Sequence, residues 1–165
     1  MDLSNKKEVE KVVRGCMDGN REYQEILYRK MYGKMMAVCY RYCQRRDEAE
    51  DVFQDGFLKV FDRIHKYNFK GSLEGWIRRI MVNNAIDHLR LKKRKYGFTE
   101  TVGEIADVED DSVEESIYDE ISAEAILELV QKLSTAYRTV FNMYVLDGFT
   151  HQEIADKLEI SEGTS

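Results

Sequence analysis

The sequence FKGSLEGWIRRIMVNNAIDHLRLKKRK, residues 69–95, is the only stretch of the chain in which aromatic, amide and basic residues recur at helical spacing. Ser72 is suited to cap a helix after Gly71, and no proline interrupts the residues after it, so the stretch predicts a helix of about six turns. Residues three or four apart share a face of a helix. One face of this helix is therefore a polar stripe, formed by Trp76, Arg79, Asn83, Asp87, Arg90 and Arg94.

Apolar residues fill most of the remaining circumference of this predicted helix. One group occupies one side: Leu73, Ile77, Ile80, Met81 and Leu91. A second group occupies another side: Val82, Ile86 and Leu89. A helix that is apolar on two sides is wedged between neighbours, so only the polar stripe is left to meet a ligand or solvent.

The polar stripe suits nucleic acid. Arginines neutralise phosphates, an asparagine amide bonds a base edge or backbone, and a tryptophan stacks on an unpaired base. A solvated face in which Asp87 pairs with Arg90 explains the same residues. The charge favours nucleic acid, because residues 66–95 contain nine Lys or Arg against Glu74 and Asp87 in a chain of net charge −6.

Composition gives the general frame. The chain has 165 residues, 43% of them hydrophobic, which is enough for one domain or two small ones. It contains no proline and no alternating run typical of a strand, so we predict an all-α fold. The beginning lacks the apolar core of a signal peptide, and no stretch approaches the ~20 apolar residues of a membrane span. We expect a cytoplasmic protein without membrane insertion.

The cysteines and histidines show no spacing typical of a metal or catalytic site. They are Cys16, Cys39, Cys43, His65, His88 and His151. Cys39 and Cys43 lie four apart and would hold a metal only with a third ligand, whereas buried thiols are the ordinary interpretation. There is no HExxH motif and no glycine-rich phosphate loop. We therefore expect no metal, no cofactor and no catalytic residue, and a protein that is not an enzyme.

Three helices precede the decisive stretch. Amphipathic patterns predict helices over residues 5–17 and about 21–42, and a third that begins at Asp47. The third helix has a core face formed by Ala49, Val52, Phe53, Gly56, Val60 and Ile64. Its outward face carries Asp51, Gln54, Asp55, Leu58 and Asp62. This face is either an ordinary solvated surface or a docking site for a basic partner.

The loop before the decisive helix interleaves aromatic and basic side chains, as in proteins that bind single-stranded nucleic acid. These side chains are Lys66, Tyr67, Phe69 and Lys70. After the helix the composition changes, since residues 100–128 contain twelve acids and no Lys or Arg. We predict a first domain over residues 1–96, an acidic linker over 97–116 and a second domain over 117–165, with helical periodicity from near Ile117.

The second domain has the pattern of a helix-turn-helix. A helix is predicted over about residues 135–146, and Thr150 with Glu153 forms a T-x-x-E capping box for another. The buried positions of this second helix are predicted to be Ile154, Ala155 and Leu158. A tight turn at Glu159 and a new cap at Ser161 complete the motif. Its recognition helix has only residues 162–165, so we predict a domain truncated at that helix.

Three motifs in this order resemble bacterial sigma factors of the extracytoplasmic-function group, over nearly the whole chain. DEAEDVFQDGFLKVF (47–61) resembles the core-binding helix of that family, and WIRRIMVNNAIDHLR (76–90) resembles its promoter-melting helix. YRTVFNMYVLDGFTHQEIADKLEISEGTS (137–165) resembles its final helix-turn-helix. The resemblance implies a subunit that binds core RNA polymerase and directs promoter recognition and opening. The main alternative is a helix-turn-helix regulator that binds DNA without polymerase.

The resemblance also implies roles for single residues. The positions that grip the β′ clamp helices of the polymerase correspond to Asp51, Gln54, Asp55 and Leu58. Contacts with the minus-ten element, including a flipped base held by the loop 66–72, are implied for Lys66, Tyr67, Phe69, Lys70, Trp76, Arg79, Asn83, Arg90 and Arg94. Contacts with the upstream element are implied for Thr150, Ser161 and Thr164. The family further implies docking on the β flap and an anti-sigma factor as a partner.

Two positions depart from the family pattern. Ser134 follows Leu133 where the family usually has proline, which loosens the start of the next helix. Glu159 stands where such turns usually have glycine, because the backbone there is left-handed, and a side chain costs about 1 kcal/mol.

Overall fold

The computed structural model describes residues 5–96 and 123–165, and every regular element within them is a helix. The predicted all-α class is confirmed. The chain divides into two compact units, Met1–Leu89 and Arg90–Ser165. The predicted linker and the onset of helix near Ile117 lie outside the described residues, so the predicted domain boundaries remain predictions.

The first unit is built from four helices joined by short connections. They are α1 (Lys6–Met17), α2 (Arg21–Tyr42), α3 (Arg46–Arg63) and α4 (Leu73–Tyr96), with a 3-10 turn at Ile64–Lys66; the last residues of α4 belong to the second unit. The Oδ1 atom of Asn5 accepts a hydrogen bond from the Lys7 N–H at 3.1 Å, and that of Asn20 accepts one from the Glu22 N–H at 2.9 Å. These caps explain why α1 and α2 begin where the sequence predicts.

All four helices contribute buried apolar side chains to the core of the first unit. The Tyr28 ring packs edge-on against Phe53 at 5.3 Å and Phe57 at 5.0 Å between centroids. The core face predicted for α3 is confirmed, because all six of its residues are buried. Phe57 joins them, although the sequence pattern did not single it out.

The two apolar sides predicted for α4 are largely confirmed. The buried residues are Leu73, Ile77, Ile80, Met81, Val82 and Ile86. Leu89 is half-buried. The prediction for Leu91 is wrong, since 64% of this residue is exposed. Leu91 lies past Leu89, where the first unit ends, and follows α4 into its exposed basic turns, so helical period alone extended the buried side too far.

Besides the end of α4, the second unit contains three short helices among the described residues. They are α5 (Ala123–Lys132), α6 (Thr135–Phe141) and α7 (His151–Leu158), with a π-helical turn at Asn142–Leu146 and a 3-10 turn at Glu162–Thr164. The predicted helix 135–146 therefore has the right extent but changes hydrogen-bonding pattern after Phe141. α6 begins at Thr135 without a side-chain cap from Ser134.

The capping box of α7 is confirmed. The Glu153 N–H donates to Thr150 Oγ1 at 3.2 Å, and the Thr150 N–H donates to Glu153 Oε2 at 2.9 Å. Ile154 and Ala155 are buried as predicted, whereas Leu158 is only half-buried. No helix among the described residues is long and apolar enough to cross a membrane.

Candidate nucleic-acid interface

The polar stripe of α4 reaches the surface as predicted. Arg79 and Asp87 are exposed, while Trp76 and Asn83 are half-buried. The helix that carries them begins with a cap in which Ser72 Oγ accepts a hydrogen bond from the Gly75 N–H at 3.0 Å. The stripe is therefore presented by a rigid helix whose other sides are held in the core.

The end of the stripe carries ion pairs that the sequence did not predict. Within the second unit, the guanidinium of Arg90 pairs with the Glu159 carboxylate, and Arg94 Nη2 lies 3.3 Å from Glu159 Oε1. Arg90 pairs with Glu159 and not with Asp87 in the part of the chain that the structure describes, so the alternative with an Asp87–Arg90 pair is wrong. The positive charge of Arg90 and Arg94 is partly neutralised in this state, whereas Arg79 stays exposed.

The loop 66–72 is held in a tight conformation next to the stripe. The Tyr67 hydroxyl donates to the Gly71 carbonyl at 3.0 Å, and the Lys70 N–H donates to Asn68 Oδ1 at 3.1 Å. Phe69 has a φ of 59°, which is rare for a bulky residue, and Gly71 has a φ of 81°. A left-handed phenylalanine costs about 1–2 kcal/mol, and such strain concentrates at ligand-binding segments.

Three aromatic rings link this loop to the start of α4. The Tyr67 ring lies 5.1 Å from the Phe69 ring and 5.5 Å from the Trp76 ring, measured between centroids. Tyr67 is only 4% exposed, whereas Phe69 is 41% exposed. Burial raises the pKa of the Tyr67 hydroxyl, which keeps it a neutral donor to Gly71. Tyr67 thus supports the two neighbouring rings in this structure, and Phe69 presents its own ring.

The loop 66–72 and the start of α4 line one side of an open groove, and helix α1 lines the other side. No sequence pattern indicates this contact between α1 and the loop. The Arg14 guanidinium lies 5.8 Å from the Phe69 ring centroid. Its Nε and Nη2 atoms donate to Glu10 Oε1 at 2.9 and 2.7 Å. An open cavity of about 840 Å³ is lined by residues of α1, the loop and early α4, including Val9, Phe69 and Arg78. In the sequence α1 shows only the pattern of an amphipathic helix.

The outward face of α3 is a separate surface. Asp51, Gln54, Asp55 and Leu58 are all exposed, and Leu58 is 68% exposed. An apolar side chain surrounded by carboxylates and an amide suits a partner that offers basic side chains around an apolar patch. The predicted separation of the two faces of α3 is confirmed, and the role of the outward face stays a prediction.

The three hydroxyl residues predicted in the helix-turn-helix lie on the surface of the second unit. Thr150 caps α7, and the Ser161 and Thr164 hydroxyl oxygens lie 2.5 Å apart in the final turn. Between them Glu159 has φ 58° and ψ 45°, the left-handed conformation predicted for that position. Helix, left-handed turn and renewed helical turn therefore follow each other as in a helix-turn-helix.

An all-helical fold that combines a basic and aromatic stripe with a helix-turn-helix is typical of the class of transcription proteins that bind DNA. Two family models match the chain: Sigma-70 region 2 over residues 27–95 and Sigma-70, region 4 over residues 123–165. Together they cover more than half of the chain. The protein belongs to the sigma-70 family and is an extracytoplasmic-function sigma factor, a subunit that directs RNA polymerase in transcription initiation.

Similar proteins are also sigma factors. The chain is 28% identical to the ECF RNA polymerase sigma factor SigW of Bacillus subtilis, over 99% of this chain and 90% of SigW. It is 23% identical to the RNA polymerase sigma-H factor of Pseudomonas aeruginosa, over 94% of this chain and 84% of that protein. Among solved structures, it is similar to the sigma factor RpoE of Bartonella quintana crystallised with the anti-sigma factor NepR, with 18% identity, 85% coverage of both chains and a TM-score of 0.49.

Proposed function

We propose that the first unit binds core RNA polymerase through the outward face of α3 and opens the minus-ten element with the loop 66–72 and the stripe of α4. The observation that carries the first part is the exposure of Asp51, Gln54, Asp55 and Leu58 on one side of a helix whose other side is buried. The partner surface is the β′ clamp helices. Acidic side chains steer a basic partner helix, and desolvation of Leu58 supplies apolar contact area.

The opening of DNA is assigned to the exposed ring of Phe69 and to Trp76. Extruding a base from a duplex costs a few kcal/mol, and each base stacked on an aromatic ring returns about 1–3 kcal/mol. Two such rings beside one loop are therefore sufficient to hold unpaired bases. Lys66, Lys70 and Arg79 are exposed and neutralise the adjoining phosphates, while the Asn83 amide contacts a base edge or the backbone.

The second unit is proposed to dock on the β flap and to contact the upstream element with Thr150, Ser161 and Thr164. Arg90 and Arg94 contact the phosphates of the melted strand once they leave Glu159. A cytoplasmic location, the absence of catalytic activity and regulation by an anti-sigma factor complete the proposal. These follow from the family to which the chain belongs.

The test is binding of the purified chain to bacterial core RNA polymerase. The docking variant carries three substitutions: Asp51→Ala, Gln54→Ala and Asp55→Ala. A matched control removes the same kinds of side chain from the exposed and half-exposed surface of α2. It carries Glu22→Ala, Gln24→Ala and Glu25→Ala. We expect the docking variant to bind core polymerase at least about tenfold more weakly, since each interfacial charge lost costs up to about 1 kcal/mol, more when it is desolvated.

The result that contradicts this assignment is equal binding by both triple variants, or no binding by the wild type. A second arm measures the wild type alone on promoter duplex. Because its net charge is −6, we expect weak binding without polymerase. Tight, sequence-specific binding of duplex by the free chain would favour the polymerase-independent regulator.

A further inference from the structure

Asn84 is a buried polar residue in the middle of α4, next to Asn83 of the polar stripe. It is 6% exposed. Its Nδ2 atom donates a hydrogen bond to the backbone carbonyl of Val52 on α3 at 2.7 Å. Its Oδ1 atom accepts a hydrogen bond from the Lys59 ammonium, also on α3. One amide thus uses both of its ends to bind two turns of the same neighbouring helix.

A glycine makes this bridge possible. Gly56 lies between Val52 and Lys59 on the face of α3 that meets α4. A Cβ atom at Gly56 would lie 2.4 Å from Met81 Sδ and 3.6 Å from Asn84 Nδ2. The two helices are therefore close enough at this point for a side-chain amide to reach a main-chain carbonyl.

Hydrogen bonds fix a helix differently from apolar packing. Apolar side chains tolerate small rotations and translations of a helix, because their contacts are not directional and cores can repack. A buried amide that is satisfied at both ends allows one rotational setting, since any other leaves a buried polar group without its partner. The Asn84 bridge consequently sets how far α4 is rotated relative to α3.

That rotation connects the two proposed functional surfaces. The segment of α3 that bonds to Asn84 also carries Gln54, Asp55 and Leu58 on its outward face, and Asn83 immediately precedes Asn84 on α4. We propose that Asn84 is a positioning residue, which holds the DNA stripe of α4 at a fixed angle to the polymerase-docking face of α3. Functional groups need placement within about 0.5 Å and 10–20°. This inference rests on the proposed function of both surfaces.

The decisive variant is Asn84→Leu. Leucine has a similar volume and shape, so the core stays filled, but both hydrogen bonds are lost; the long Lys59 side chain can extend to water. The matched control is Met81→Leu, which alters the same α3–α4 contact without removing a polar group. Three quantities are measured for the wild type and both variants: the melting temperature, the affinity for core polymerase, and open-complex formation by the reconstituted holoenzyme on a linear promoter.

We expect Asn84→Leu to bind core polymerase within about twofold of the wild type, because the docking face of α3 is unchanged. It should form open complexes about tenfold more slowly, because a rotated α4 no longer holds the DNA stripe within the required range of about 10–20°. Met81→Leu should match the wild type in all three measurements. If Asn84 has only a structural role, the rate of open-complex formation falls only as far as the melting temperature falls, in both variants. Full opening activity of a folded Asn84→Leu protein overturns the inference.

A measurement without polymerase separates this inference from the proposed function. Nitroxide labels are placed on α3 and α4 by Asp62→Cys and Asp87→Cys, both at exposed positions, while the native thiols are buried. Double electron–electron resonance should give one narrow distance between the two labels in the wild type and in Met81→Leu. It should give a broader or shifted distance distribution in Asn84→Leu. An unchanged distribution overturns the positioning role even if polymerase binding fails for other reasons.

If Asn84→Leu does not fold, Lys59→Met provides a second test of the positioning role. Methionine keeps the apolar stem of Lys59 and removes only the ammonium that donates to Asn84. We expect opening to be about two- to threefold slower, with a partly broadened distance distribution, because the Val52 hydrogen bond remains. A Lys59→Met protein identical to the wild type in both measurements contradicts the inference.

Discussion

Gly56→Ala tests the closeness of α3 and α4 directly, because two opposing effects meet at this residue. An alanine in the interior of a helix is favoured over glycine by about 0.5–1 kcal/mol. The added methyl group, however, would lie 2.4 Å from Met81 Sδ, and Met81 is fully buried. Overpacking of a well-filled core costs about 1–3 kcal/mol. We therefore expect a net loss of about 1–2 kcal/mol in the free energy of unfolding.

The unfolding of the first unit can be followed separately from that of the second. The chain has a single tryptophan, Trp76, and it lies in the first unit, so tryptophan fluorescence reports this unit. For a unit of this size each 1 kcal/mol lowers the melting temperature by about 4–8 °C. Gly33→Ala is the matched control, since Gly33 lies inside α2 and a Cβ atom added there would have no heavy atom of a neighbouring element within 4 Å. It should raise stability by about 0.5–1 kcal/mol.

The sharpest form of this prediction is a reversal of sign. Met81→Ala alone should destabilise by about 2–5 kcal/mol, because it opens a cavity in the core. In that background the methyl group of Gly56→Ala enters vacated space, so the same substitution should now stabilise by about 0.5–1 kcal/mol. If Gly56→Ala is stabilising in the wild-type background, or equally destabilising in both backgrounds, the packing described for α3 and α4 is wrong.

Two further predictions concern single residues. Burial raises the pKa of the Cys39 thiol to about 12, above that of an unfolded cysteine. The stability contributed by the neutral buried thiol is therefore complete below about pH 8.5 and is lost as the pH rises towards 12. Urea unfolding of Cys39→Ala should show a shallower alkaline loss of stability than the wild type, and an identical slope would contradict the assignment. Glu159 has a left-handed backbone at φ 58°, so Glu159→Gly should be more stable than Glu159→Ala by about 1 kcal/mol in circular dichroism melts, since both variants lose the ion pairs with Arg90 and Arg94 and only glycine relieves the strain. Asp156→Gly, at an exposed helical position of α7, should instead be less stable than Asp156→Ala.

Much of the fold was predictable because its signals are local. Asn5, Asn20, Ser72 and Thr150 cap helices from within three residues, and caps depend only on the neighbouring backbone. Helical period separated the two faces of α3 because residues three and four apart share a side wherever the helix packs. The same period failed at Leu91, because it does not indicate where the neighbouring helices stop.

The arrangement of the candidate site depended on tertiary structure. Asn84 contacts residues 32 and 25 positions away in sequence, and no pattern within α4 indicates these partners. Arg14 reaches Phe69 from another helix, and Tyr67 is buried between two rings that it was expected to accompany at the surface. The sequence by itself determined the helices, their faces and the family, since these follow from local spacing. Packing alone decided which side chains are buried in support of the candidate site and which are exposed in it, since burial and hydrogen-bond partners are set by helices distant in sequence.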